Sequence, residues 1–155
     1  MRIKLGPNTY PMLIGEYTHS IDDKNRLSLP SKFRKEMGKS VVLTPGLDGC
    51  LFVFTGKQWE KISEKLSQGS FLKSDSRSFN RFMYGGAVEA EVDAIGRILV
   101  PDFLKDRAKL KEKVVIIGVQ DRVEIWNEDS WMDYKKMVEK QADSLAEKLD
   151  GIGIL

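Results

Sequence analysis

The sequence predicts an α+β protein in which two copies of one β-hairpin, helix, β-hairpin, helix unit interleave into a small barrel. Three observations carry that expectation. The stretch IDDKNRLSLPSKFR at 21–34 returns as VDAIGRILVPDFLK at 92–105, and internal repeats set architecture more strongly than any local pattern. Strand-like alternation leads into the turn segment of the first copy. A proline then follows each turn-and-strand stretch and precedes a short amphipathic run.

The repeat extends well beyond that stretch. Asp22 and Asp93, Arg26 and Arg97, Pro30 and Pro101, and Gly15 and Gly86 all keep one offset. VVLT at 41–44 meets VVII at 114–117, and Trp59 meets Trp131, with the offset changed by one or two residues. Shifts of that size are what loop insertions leave between matching elements. The copies span roughly 14–66 and 85–138. Residues 67–84 read as a polar linker passing into a helix, and 139–155 as a C-terminal helix extension.

Each copy opens with a strand. In EYTHSI, Glu16, Thr18 and Ser20 alternate with Tyr17, His19 and Ile21. In RLSL, Leu27 and Leu29 take one face, and Arg26 and Ser28 the other. Between them lies DDKN, whose Asn25 is matched by Gly96. Asn and Gly most readily adopt positive φ, so a left-handed residue and a tight hairpin are expected before each arginine. Pro30 and Pro101 suit the first helical position of short helices, with Gly38 as a stop. VVLT and CLFVF, and VVIIGV and RVEIW, are rich in β-branched and aromatic residues and read as buried second hairpins. Thr55 and Gln58 predict a capping box ahead of Trp59, Ile62 and Leu66 at helical spacing. Trp131, Tyr134, Val138, Leu145 and Leu149 form a longer stripe. Phe71, Phe79, Phe82 and Tyr84 suggest the linker helix packs down. No such hairpin is stable alone, but two interleaved units bury both sets of strands.

Composition bounds the function. The 155 residues are 41% hydrophobic and 31% charged, enough for a folded core without metal or disulfide staples. Cys50 is the single cysteine, which excludes an intrachain disulfide and fits a reducing cytoplasm. No apolar run approaches the roughly 18 residues of a membrane span. MRIKLGPNTYPMLIGEY is broken by Gly6, Pro7, Asn8 and Pro11, so no signal-peptide core is expected. The net charge of +2 and a pI near 8.6 fall short of a strongly basic nucleic-acid binder. Charge distribution therefore matters more than the total.

The chain resembles the MraZ family, through GEYTHSIDDKNRLSLPSKFR, LTPGLDGCLFVF, GAVEAEVDAIGRILVP and VVIIGVQDRVEIW. The resemblance covers nearly everything from Gly15 to Trp131. It implies the swapped-hairpin barrel of AbrB-type transcription factors, with two half-barrels fused in one chain. It also implies a ring-shaped homo-oligomer that binds repeated double-stranded promoter sites at the nucleoid and represses its own division and cell-wall operon. The D-x-x-x-R signature of the family is intact in both copies, as Asp22 with Arg26 and Asp93 with Arg97. Lys24 and Ile95 differ at corresponding points, so equal contact by both copies is not expected.

Two readings of the signature stand side by side. Asp22 can accept N–H groups of its own turn and pair with Arg26, needing nothing outside the protein. Alternatively, Asp orders the turn and aims an Arg fork at a phosphate or at guanine O6 and N7. The readings are compatible, and Asp as orienter with Arg as reader is favoured. Lys24, Arg26, Lys32, Arg34 and Lys35 fall within twelve residues, so Lys24, Lys32 and Arg34 are assigned to phosphates. The basic run Lys105 to Lys113 reads as a solvated face. His19 reads as a packed core histidine, Cys50 as a small buried hydrophobe, and the tryptophans as helix-to-barrel packing. One His and one Cys make no usual zinc site, and neither a phosphate-cradling loop nor a nucleophile elbow is present. No cofactor, no catalytic residue and no metal are expected. The alternatives to a regulator are a ring-forming scaffold for a protein partner and an enzyme whose site forms between subunits. Met132, Met137 and Val138 are a candidate subunit interface, or pack on their own barrel.

Overall fold

A computed structural model describes residues 13–155; the expectation that the N-terminus lacks a signal-peptide core falls largely on residues 1–12, outside the described residues. The elements follow in the order β1 (Ile14–Ser20), β2 (Arg26–Ser28), α1 (Ser31–Met37), β3 (Ser40–Pro45), β4 (Leu51–Phe54), α2 (Gly56–Ser67), α3 (Ser74–Gly85), β5 (Val88–Glu91), β6 (Arg97–Leu99), α4 (Asp102–Arg107), β7 (Lys113–Val119), β8 (Val123–Asn127) and α5 (Glu128–Gly151). This is the α+β, swapped-hairpin fold, and the swap is visible in the strand order.

Six strands form one antiparallel sheet ordered β1-β7-β8-β4-β3-β5, and β2 and β6 form a separate two-stranded ribbon. The hairpins β3–β4 and β7–β8 are local, as expected. The first hairpin of each copy is not. Outside the turn, β1 and β2 share only the isolated bridge Ile21↔Leu27. β1 instead pairs along its whole length with β7 of the second copy, and β5 pairs with β3 of the first. The expected tight hairpin is thus an arch with splayed legs. The physical reason lies in β3 and β7, which need a ladder neighbour on their outer edges, and the other copy supplies it.

Register shows a local twofold axis. Phe52 lies opposite Glu124 across β4 and β8, and Leu27 opposite Ile98 across the ribbon. Each pair joins equivalent positions of the two copies, so the axis passes through both. The sheet does not close on itself; the ribbon covers its open side. Leu27 and Ile98 are buried there in one cluster with Leu43, Val53, Ile116 and Ile125 of the sheet.

The continuous apolar runs follow from burial on both faces. Alternate residues of β4 and β7 point to opposite sides: Leu51, Val53, Val114 and Ile116 join the inner core, whereas Phe52, Phe54, Val115 and Ile117 join an outer cluster. That outer cluster is roofed by Trp59 and Ile62 of α2, Met83 of α3, and Trp131 and Tyr134 of α5. The tryptophans are packing residues, with Trp131 5.2 Å from the Trp126 ring. Cys50 is fully buried, and burial pushes its thiol pKa far up. His19 is only half-buried, between exposed neighbours on β1, and so is not the packed core histidine expected; burial and, secondarily, the Arg34 charge lower its pKa.

Local signals hold closely. Thr55 accepts from Gln58 N–H while the Gln58 side chain accepts from Thr55 N–H, completing the capping box. Pro30 and Pro101 stand one residue outside their helices, as N-caps, a displacement within the ambiguity of helix ends. Gly38 ends α1 with φ of 69°. At the crowded start of the swap, a Cβ on Gly118 would lie 2.5 Å from the Leu13 carbonyl carbon and 2.6 Å from the Ile14 nitrogen, so only glycine admits β1 beside β7. α5 runs unbroken through residue 139, with no buried residue along it. Met132 and Met137 are exposed, and Val138 is half-buried. No described helix is long and apolar enough to cross a membrane.

Candidate nucleic-acid interface

The turn before each arginine is built by one aspartate. Asp22 Oδ1 accepts the backbone N–H groups of Lys24 at 2.9 Å and Arg26 at 2.8 Å, and its Oδ2 accepts Arg26 Nε at 2.8 Å. Asn25 N–H closes the turn on the Asp22 carbonyl at 3.0 Å. The second copy repeats this set. Asp93 Oδ1 accepts from Ile95 N–H at 3.1 Å and Arg97 N–H at 2.8 Å, and Oδ2 from Arg97 Nε at 2.8 Å. A short acidic side chain can do this because it reaches back to its own turn.

The electrostatics follow from the same bonds. Above all the Arg26 backbone N–H, and then the Arg26 side chain and Lys24 N–H, hold the Asp22 carboxyl below its ordinary pKa, against some desolvation. Asp93 is lowered in the same way, first by the Arg97 backbone N–H. Because the folded pKa is depressed, whatever stability these carboxylates add is present above the ordinary value of 3.8 and lost as pH falls through the lowered one. At neutral pH both aspartates are ionised.

Among the described residues, only Nε of each guanidinium is committed. No described residue engages the terminal nitrogens of Arg26 or Arg97, whose side chains are 35% and 27% exposed. Both arginines also point the same way. Arg26 is opposite Leu99 and Ser28 opposite Arg97, so these four share one face of the ribbon while Leu27 and Ile98 fill the other. That face is open to solvent: Leu99 is exposed and the other three are half-buried. By general sheet geometry the two arginines are diagonal neighbours, about 7–8 Å apart. Two guanidinium forks therefore stand on a single ribbon.

The basic residues beside them are distributed differently from the sequence. The cluster Lys24 to Lys35 is split by the swap. Lys24 stands exposed in the first arch, but Arg34 of α1 lies over Gly96 of the second, where any Cβ would strike its guanidinium. Arg34 Nε also donates to the Leu29 carbonyl at 3.1 Å, which commits part of the guanidinium that the sequence reading assigned to a phosphate. Lys32 is exposed on the same helix. The equivalent of Arg34 is Lys105, expected in a solvated run; instead its Nζ donates to Asn25 Oδ1 at 3.0 Å, and Asn25 Nδ2 donates to Asp102 Oδ1 at 2.6 Å. Each arch is thus braced by the short helix that follows the other arch. Asn25 and Gly96 do adopt positive φ, 61° and 81°. Gly96→Ala is expected to lower stability by about 1–2 kcal/mol, the cost of a left-handed L-residue, and to displace Arg34; urea unfolding checks it.

One family model, described as "MraZ protein, putative antitoxin-like", matches the chain twice, over residues 12–82 and 83–150. The chain belongs to the MraZ family. It is 48% identical over 143 residues to a "Transcriptional regulator MraZ" of Caldanaerobacter subterraneus subsp. tengcongensis, spanning 92% of this chain and all of that one. The protein of the same name in Thermoanaerobacter sp. strain X514 is 46% identical over the same shares. That of Pelotomaculum thermopropionicum is 47% identical over 138 residues, 89% of this chain and 95% of the relative. These relatives are named as regulators of transcription, not as enzymes. Among the described residues no three His, Cys, Asp or Glu side chains gather in a metal-ligand cluster. Sequence reasoning missed Leu99 as a member of the arginine face, although the repeat pairs it with Ser28. It also missed the braces, which join residues about as far apart as the repeat length and leave no local signal.

Proposed function

We propose that the protein is a sequence-specific DNA-binding transcriptional regulator, a repressor of its own division and cell-wall operon that binds repeated promoter sites as a homo-oligomer. The observation that carries this reading is the pair of arginines on one solvent-facing ribbon, each oriented by a carboxylate, with terminal nitrogens that no described residue engages. A two-stranded ribbon fits the major groove, and a guanidinium fork matches guanine O6 and N7. Asp22 and Asp93 orient, Arg26 and Arg97 read, and Lys24, Lys32 and Arg34 face phosphates. In this reading the halves 14–66 and 85–138 act as one binding unit, linked through 67–84 and extended by 139–155. The relatives' names support regulation of transcription.

So few cations bind one site weakly; linking several protomers on several sites multiplies the affinity. Electrophoretic mobility shifts with the DNA upstream of the gene, repeats intact or scrambled, test the reading. Binding should favour intact repeats and fall steeply with salt, each neutralised phosphate adding about −0.9 to the log–log slope. Equal binding to intact and scrambled fragments, or to one site and several, sinks it.

A further inference from the structure

The twofold axis relates the two arches and the short helices after them, yet three outward positions change from polar in the first copy to apolar in the second. Lys24, Ser28 and Lys32 of the first copy are matched by Ile95, Leu99 and Phe103 of the second, which are 59%, 58% and 53% exposed. The buried partners stay apolar in both copies: Leu27 with Ile98, Leu29 with Val100, Phe33 with Leu104. The exchange is therefore confined to the outside, where burial cannot explain an apolar residue. Ile95 is the sharpest case, because turns are normally built of Gly, Pro, Asn, Asp and Ser.

Ile95 is also rigidly placed. Its N–H donates to Asp93 Oδ1 at 3.1 Å, Gly96 N–H closes the turn on the Asp93 carbonyl at 2.9 Å, and Gly96 is buried beneath Arg34. A β-branched side chain adds little rotamer freedom of its own. It lies two residues before Arg97, the guanidinium that enters the groove in the reading above. Within the major groove the one apolar feature of a base pair is the thymine 5-methyl group, and aliphatic contact is how proteins read it. We infer, resting on that reading, that Ile95 is a specificity-determining residue that contacts a thymine methyl beside the base read by Arg97. Lys24 at the other arch provides charge in its place. The two ends of a nearly symmetric ribbon then read different bases, and the DNA sequence sets which way the protomer faces.

The test uses the full chain, its upstream DNA, and the same DNA with every thymine of the repeats replaced by deoxyuridine, which lacks only the methyl. Fluorescence anisotropy should show wild type losing about fourfold in affinity for each methyl contacted, the worth of one buried carbon. Lys24→Ala should keep that loss, and Ile95→Ala should bind both DNAs equally while melting like wild type. A wild type indifferent to deoxyuridine, or an Ile95→Ala protein that keeps the full loss, overturns the assignment. So does an Ile95→Ala protein of lower oligomeric mass, which would make Ile95 a subunit contact. A wild type that still prefers intact over scrambled repeats but ignores the methyl loses only this inference; one that ignores scrambling loses the DNA reading itself.

Discussion

Alanine at both Arg26 and Arg97 is expected to abolish discrimination between intact and scrambled repeats while leaving the fold and the assembly in place. A bidentate arginine contributes about 1–3 kcal/mol of discrimination, so each single substitution should cost roughly 5- to 150-fold in specific affinity. The fold has little to lose. Both side chains are partly solvent-exposed, and their Nε contacts to Asp22 and Asp93 are surface pairs, a class that adds little stability. Arg26→Lys separates fork from charge, since it keeps the cation but cannot make two parallel bonds. It should retain nonspecific binding and lose the share of discrimination that Arg26 supplies. Mobility shifts combined with mass measurement check all four variants. Specific binding that survives the double substitution would reduce the D-x-x-x-R turn to a structural device.

The largest loss of stability is expected from Phe33→Ala, at about 3–5 kcal/mol. Phe33 is fully buried and meets Tyr17 edge-to-face at 5.3 Å, so it fastens α1 to β1 across the arch. Its removal leaves a cavity in a core cluster that draws on both copies. Against a total of about 5–15 kcal/mol for a domain of this kind, such a loss brings the protein close to unfolding. Thermal melting checks it, with Phe79→Ala as the control, since Phe79 is 39% exposed. A Phe33→Ala melt as mild as that of Phe79→Ala would refute the packing assignment.

Much of this was legible beforehand because it is local. The alternation in EYTHSI, the turn residues Asn25 and Gly96, the Thr55 capping box and the Gly38 stop are written within a few residues, and repetition doubles each signal. The partners of each strand were not legible from the residues themselves. DDKN with its alternating flanks is hairpin chemistry, and nothing local tells β1 to leave β2 for β7. The choice depends on which exposed ladder the rest of the chain offers, and here the family resemblance supplied the swap. The same effect separated the basic cluster: neighbours in sequence such as Lys24 and Arg34 sit at opposite ends of the ribbon. The apolar face of the second arch could be read only after superposing the copies.

The exchange of first strands also constrains how the polypeptide is made. Glu16 finds its ladder partner in Ile117, so the first described strand leaves the ribosome long before the strand that mates with it. Such distant pairing is slow to nucleate, and an unmated edge is meanwhile open to any neighbouring nascent chain. A fragment ending after α2 would carry β3 without β5 and β1 without β7, and either the second half or a twin of the fragment offers strands for both. Cut in two, the gene would therefore encode halves that complete themselves by pairing with each other, which is how a duplicated chain can begin as a dimer of a shorter one.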